Sequence, residues 1–265
     1  MAATQNAGGK ARCRGGLIVI GDEVLQRRTE ERNVAAVLDA FARYGIEPGE
    51  VAILGDDVVR IAQVVREFAA RFDVVLTTGG VGPTHDDLTW QAVALATDDA
   101  LVLRQDVVDA MEQRSGQALS PEQRRMAVLP TRTEVELLPA GGFAMHTGHV
   151  WVLPGVPSMA ARKLDGICAR YQGQVPALVE AYFTADEWLV VATIDAIVAA
   201  HPQVQIGSYP VFDLSLDHRL RVSMRAEGDS VGLTTVEACL AALIAAIGAD
   251  KLVRTVWLSG GPAAA

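Results

Sequence analysis

Aromatic side chains are scarce, at 5% of 265 residues. Ala, Val and Leu must therefore supply most of the packing, which suits helices laid on a buried parallel sheet. Cysteine is scarcer still. Cys13, Cys168 and Cys239 are widely spaced, with no C-x-x-C, which argues against a disulfide framework or a zinc site. They read as reduced, structural thiols. Positive charge is also short: 23 Lys and Arg stand against 32 Asp and Glu, a net charge of −9. No nucleic-acid partner is expected, because such binding rests on neutralising phosphates. A phosphate-bearing small molecule stays open, held by backbone N–H groups, a few local cations or a divalent metal. No window offers the roughly 18 uninterrupted apolar residues of a membrane span, so no membrane partner is expected. The first fifteen residues are rich in Ala, Gly and Arg and lack an apolar h-region, so no signal peptide is read and a cytoplasmic location is expected.

What is present is a repeating pattern. Gly16-Leu17-Ile18-Val19-Ile20-Gly21 is a short apolar run closed by glycine, a buried strand. Val34, Val37, Leu38 and Phe41 then mark one helix face, with Asn33 as N-cap and Gly45 as the stop. A second strand over 51–54, a helix over 58–72, a third strand over 74–76 and a helix over 88–96 follow. This alternation predicts a three-layer α/β/α, doubly wound, mostly parallel sheet, in which ligands bind at the C-terminal strand ends. Residues 105–127 read as helical, with Ser120-Pro121-Glu122-Gln123 as a capping box. Strands are expected over 134–138 and 150–153, and a helix over 158–171. Composition shifts near 172–176. Beyond it the order strand, helix, strand, strand, helix, strand predicts a smaller α+β domain of βαββαβ, ferredoxin-like type. The expected organisation is a disordered tail over 1–14, an α/β domain over 15–173, the small domain over 174–258, and a disordered tail over 259–265.

The chemistry concentrates in Thr77-Thr78-Gly79-Gly80-Val81-Gly82-Pro83-Thr84-His85-Asp86-Asp87-Leu88-Thr89. Glycines there let a ligand approach the main chain, and exposed N–H groups beside a helix N-terminus make an anion site. An Asp before Leu88 is equally an ordinary N-cap, and glycines make turns. Both readings stand on local chemistry alone. Carboxylates at neighbouring strand ends (Asp22 and Glu23, Asp56 and Asp57, Asp86 and Asp87) repel unless a cation sits among them. Separate caps and turns explain them too. Leu153-Pro154-Gly155-Val156-Pro157 reads as a stiff wall or as a plain strand-to-helix turn. His146 and His149 suggest a metal pair only weakly, and His85 is either an acid–base group or an exposed loop histidine.

These motifs, with GDEVL at 21–25, GDD at 55–57, QRRMAVLP at 123–130 and LPGVP at 153–157, resemble the molybdopterin-binding-like superfamily, CinA branch. Gly207-Ser208-Tyr209-Pro210 is similar to the molybdopterin-binding-like half of FAD synthase. The resemblance implies an α/β/α domain and metal-dependent cleavage of ADP-ribose- or FAD-like dinucleotides. In more distant relatives it implies binding and adenylylation of molybdopterin. By matching position, it implies a catalytic set of Asp86, Asp87 and Asp57 and a metal set of Asp22, Asp86 and Asp87 for Mg²⁺, Mn²⁺ or Co²⁺. Substrate contacts are implied for Gly79, Gly80, Gly82, Pro83, Thr84, Thr89, Asn33, Pro154, Gly155 and Pro157. The implied partner is a phosphate-bearing nucleotide or pterin, and a homo-oligomer is expected. The alternatives are a molybdopterin- or nucleotide-binding protein without chemistry and a molybdopterin adenylyltransferase. The run 26–33 departs from the family pattern except at Asn33, and the N-P-x-G-x-A-P-G-F segment survives only as Gly141-Gly142-Phe143.

Overall fold

The computed structural model describes residues 12–139 and 141–261. The expected tails lie mostly outside these residues. Of the described ones, Cys13 and Arg14 open the first strand and Ser259 closes the last. The chain divides between Gly173 and Gln174 into two compact units.

The first unit holds strands β1 (Cys13–Ile20), β2 (Ile46–Leu54), β3 (Val74–Thr78), β4 (Leu101–Leu103), β5 (Val128–Pro130), β6 (Glu134–Leu137), β7 (Phe143–Thr147) and β8 (Val150–Leu153). Six of them form one sheet in the order β2-β1-β3-β8-β7-β6, parallel through β8 and antiparallel beyond. β4 and β5 make a separate antiparallel pair. Helices α1 (Asp22–Leu25), α2 (Asn33–Tyr44), α3 (Val58–Arg71), α4 (Thr89–Ala96), α5 (Gln105–Ser115), α6 (Pro121–Arg124) and α7 (Pro157–Cys168) complete it.

Side-chain alternation along β1 explains the three layers. Ile18 and Ile20 enter a core with Ile61, Val65 and Phe68 of α3 and Val93 of α4. Leu17 and Val19 enter the opposite core with Val37 and Phe41 of α2 and Leu164 of α7. Successive residues of a strand face opposite sides, so a strand covered on both faces must be apolar throughout. Full burial of each such side chain contributes about 1.5–3 kcal/mol.

Two local expectations need correction. Asn33 is the first residue of α2 and not its cap: the Glu31 carboxylate takes the N–H groups of Asn33 (2.6 Å) and Val34 (3.0 Å). The helix read over 105–127 breaks after Ser115, where Gly116 adopts φ 71 and starts a loop ending at the Ser120–Gln123 capping box. Phe143–Thr147, to which the sequence pattern assigns no element, is a further strand.

The second unit contains β9 (Ala177–Phe183), α8 (Val191–Ala200), β10 (Gln205–Pro210), β11 (Leu220–Ala226), α9 (Ser230–Ile247) and β12 (Leu252–Ser259). Its sheet is fully antiparallel in the order β10-β11-β9-β12, the ferredoxin-like arrangement. Leu220, Val222, Met224 and Ala226 face its core while Arg221, Ser223 and Arg225 alternate outward. α9 is, at 18 residues, long and apolar enough by composition to cross a membrane, although Ser230, Thr234, Thr235 and Glu237 interrupt its apolar run. It packs Val236, Cys239 and Leu243 into this core.

Candidate functional site

In the first unit the C-terminal ends of β1, β3 and β8 meet. Gly79 follows β3 with φ 97, and a Cβ there would lie 2.1 Å from the Ile20 carbonyl. Only glycine fits a position that is both left-handed and in contact with the neighbouring strand. The Gly79 N–H donates to Leu153 O (3.2 Å), tying the loop to β8. Asn33 Nδ2 donates to Gly155 O (2.9 Å), tying the start of α2 to the loop after β8. Thr89 is buried, and its hydroxyl donates to Gly79 O (2.8 Å) while its N–H donates to Gly80 O (3.0 Å). Thr89 thus positions the glycine turn and does not line a site.

Asp87 settles the question of cap against cradle in a third way. It does not cap α4, whose N-cap is Leu88 without a side-chain bond. Its Oδ1 accepts from Gly82 N–H (2.6 Å), and its Oδ2 accepts from Thr84 N–H (2.8 Å) and from the Thr84 hydroxyl (2.5 Å). The anion held by this part of the loop is the protein's own carboxylate. Among the described residues, no acceptor meets the N–H groups of Gly80 and Val81.

The adjacent carboxylates separate by role. Asp57 Oδ1 accepts from Arg60 N–H (2.9 Å) as the N-cap of α3. Asp56, its neighbour, turns the other way. Asp22 N–H donates to Asp56 Oδ2 (3.0 Å) and Asp56 N–H to Asp22 Oδ1 (3.3 Å). Burial pushes the Asp56 carboxyl up, and the charges of Asp22, Glu23 and Asp86 push the same way, partly offset by the Asp22 N–H. Asp86 is exposed; the Thr84 hydroxyl and its own N–H hold it below the usual range. The expected metal set of Asp22, Asp86 and Asp87 is therefore not assembled. Among the described residues, the one group of three potential ligands with donor atoms within 4.8 Å of one another is Glu134, Glu136 and His146. There Glu136 is already paired with Arg170 and with His146 (2.9 Å). His149 instead bonds Ala69 O (2.9 Å), so the two histidines do not act together.

A cavity of about 650 Å³ opens over these loops. Gly79, Gly80, Gly82, Asn33, Pro154, Gly155, Pro157 and Asp87 of the expected set line it; Asp22, Asp57, Pro83, Thr84, Asp86 and Thr89 do not. Thr29 to Asn33, within the run that departs from the family pattern, form part of the wall. Sequence reasoning missed the opposite wall: Trp90, Met111, Arg114, Phe143, Met145 and Lys163. Trp90 sits next to the glycine motif and Phe143 ends the Gly141-Gly142-Phe143 trace, but nothing local marks Met111, Arg114, Met145 and Lys163. Three residues that line the cavity each carry a buried polar atom without a partner, Thr78 Oγ1, Asn33 Oδ1 and Trp90 Nε1, on residues 1%, 6% and 6% exposed.

Residues 16–172 match the model of the family described as the probable molybdopterin binding domain, and residues 177–256 that of FAD synthase, middle domain. A CinA-like protein of Desulfosudis oleivorans is 36% identical over 166 residues, covering 59% of this chain and 40% of its own. A CinA-like protein of Geobacter metallireducens is 30% identical over 237 residues, covering 83% of this chain and 55% of its own. The chain thus spans about half, or less, of the length of these relatives. The crystal structure of a CinA protein of unknown function from Thermoplasma acidophilum superposes with a TM-score of 0.51 at 28% identity, covering 56% of this chain and 92% of that one.

Proposed function

The chain belongs to the family described as the probable molybdopterin binding domain, and from that membership we propose that the cavity of its α/β unit binds a phosphate-bearing nucleotide or pterin. One observation carries the reading: Thr78, Asn33 and Trp90 line a single cavity, and each carries a buried polar atom without a partner. Each unsatisfied buried polar group costs about 1–3 kcal/mol. A ligand bearing both donors and acceptors removes that cost, and it selects for polar ring edges or ribose hydroxyls. The N–H groups of Gly80 and Val81 supply the phosphate contact.

The reaction that fits is hydrolysis of the pyrophosphate of an ADP-ribose- or FAD-like dinucleotide. For ADP-ribose, water oxygen bonds to phosphorus, the bridging P–O bond breaks, and AMP and ribose 5-phosphate leave. Asp87 does not fit a metal site, because both its oxygens are spent on the loop. Asp56 fits better, since burial and three neighbouring carboxylates leave its negative charge uncompensated. Asp22, Asp56 and Asp86 would have to draw together to hold a divalent cation of the Mg²⁺ or Mn²⁺ type, since their donor atoms do not all lie within 4.8 Å of one another; the chemistry such a cation would supply is to polarise a phosphoryl oxygen and lower the pKa of bound water. Asp57 keeps its structural role at α3, and Asp87 holds the loop in the form that presents Gly80.

The commitment of Asp87 to the loop favours one second reading: binding without hydrolysis. Incubation of the full chain with ADP-ribose or FAD and Mg²⁺, Mn²⁺ or Co²⁺, followed by chromatography for AMP, separates the two. AMP release lost in Asp56→Asn supports hydrolysis. Binding without AMP under every metal supports the binding protein, and neither binding nor AMP removes the proposal.

A further inference from the structure

Lysine occurs three times in this chain, at 10, 163 and 251. Lys163, on α7, is half-buried in the cavity wall. Its ammonium donates to the Phe143 carbonyl and lies 5.0 Å from the Phe143 ring centroid. Arg114, on α5, reaches the same ring, with its guanidinium carbon 5.3 Å from the centroid. One aromatic ring thus gathers two cations from two helices. Among the described residues neither cation has a carboxylate partner, although the chain carries 32 Asp and Glu. Burial, and then the charge of Arg114, pushes the Lys163 ammonium below its usual range. Among the described residues Arg114 has no acceptor and Lys163 has only the Phe143 carbonyl, and the two are like charges gathered at one ring. Such a constellation is relieved by an anion.

We propose that Arg114 and Lys163 form a second anion-recognising subsite of this cavity, built on helices apart from the glycine loop. The inference rests on the reading of the cavity as a phosphate-ligand pocket. It deepens that reading by requiring a ligand with acceptor-rich or anionic groups at both ends of an aromatic or apolar body. Met111, Met126 and Met145 line the cavity and offer that body an adaptable apolar surface. A ligand with one phosphate and a neutral, acceptor-poor remainder would leave the cation pair unanswered.

The scarcity of lysine makes the test direct. The full chain is acylated with an amine-directed reagent, and modification of Lys163 and Lys251 is followed by peptide mass spectrometry. Inorganic pyrophosphate, AMP and adenosine are the probes. At about ten times its dissociation constant, pyrophosphate or AMP slows modification of Lys163 about tenfold and leaves Lys251 unchanged. Adenosine, which lacks the anion, gives no protection, and Arg114→Gln removes most of the protection by pyrophosphate. Equal rates at Lys163 with and without the anionic probes overturn the proposal. Equal protection by adenosine and AMP also overturns it, because occupancy of the cavity would then suffice. The parent reading is judged separately, through Asp87→Asn and AMP binding. Loss of AMP affinity in Asp87→Asn with Lys163 unprotected sinks the subsite alone. Protection by pyrophosphate that survives in Asp87→Asn, with no AMP binding in either protein, leaves the subsite standing and sinks the glycine-loop reading.

Discussion

Asp87 places one carboxylate oxygen 2.6 Å from the N–H of Gly82, five residues back in the same loop. Its other oxygen takes the Thr84 N–H at 2.8 Å. The side chain therefore folds the loop onto itself, and the loop's shape depends on one ionised group. Charge-assisted bonds of this kind each contribute about 1.5–3 kcal/mol when a partner is lost. Asp87→Asn keeps the volume but turns an amide donor toward one of the two N–H groups. It should lower stability by about 1–3 kcal/mol in urea unfolding, and AMP affinity should fall with it. A variant as stable as the wild type would show that the loop is held by something else.

Gly79→Ala and Gly116→Ala both place a methyl group on left-handed backbone, at φ 97 and φ 71. At Gly116 nothing lies within 4 Å of the added Cβ, and the cost should be the conformational one alone, about 1–2 kcal/mol. At Gly79 the Cβ would lie 2.1 Å from Ile20 O, so β1 and β3 must part. The second loss should clearly exceed the first in parallel urea titrations. Equal losses would contradict the close approach of these two strand ends.

The two glycines also show what the chain announces about its fold and what it hides. Alternating apolar strands and amphipathic helices from Leu17 to Ala96 follow from local periodicity, and so do the strand-end positions of Gly79, Pro154 and Gly155. Local periodicity carries no such signal for Phe143–Thr147, because His146 and Thr147 are buried polar residues and the strand is flanked by glycine pairs and turns. Asp56 and Asp57 are identical neighbours, and only the entry angle of α3 decides that Asp57 caps while Asp56 meets Asp22. Arg114, Phe143 and Lys163 share a ring only after folding brings α5, β7 and α7 together. No spacing rule links residues that far apart.

Asp56 has a carboxyl raised by burial and by Asp22, Glu23 and Asp86. A carboxyl whose folded value exceeds its unfolded value favours the protonated form in the folded state. No stability is lost to it below the ordinary Asp range. The loss sets in as pH rises through the unfolded value and is complete above the raised folded value. Asp56→Asn should therefore raise the thermal midpoint at pH 7 and leave it unchanged near pH 3, apart from the hydrogen bond to Asp22. Mg²⁺ should raise the midpoint of the wild type at pH 7 more than that of Asp56→Asn. The same Mg²⁺ response in both proteins would exclude Asp56 as a cation ligand.

Trp90→Phe removes an indole N–H that has no acceptor while keeping most of the ring. Removing an unsatisfied buried donor is nearly neutral or stabilising, since the group costs about 1–3 kcal/mol where it stands. The ligand-free variant should unfold at or above the wild-type midpoint in urea. A loss of more than about 2 kcal/mol would mean that packing of the indole outweighs its orphaned N–H.

The most direct test of the account is a calorimetric titration of the full chain with ADP-ribose without divalent metal, so that binding is read apart from hydrolysis, beside Trp90→Phe and Thr78→Val. One ligand should bind per chain, and each variant should bind about tenfold more weakly, as expected when a ligand loses one hydrogen bond worth roughly 1.4 kcal/mol. No heat of binding with the wild type, or the same dissociation constant in all three proteins, would contradict the assignment of this cavity to a phosphate-bearing ligand.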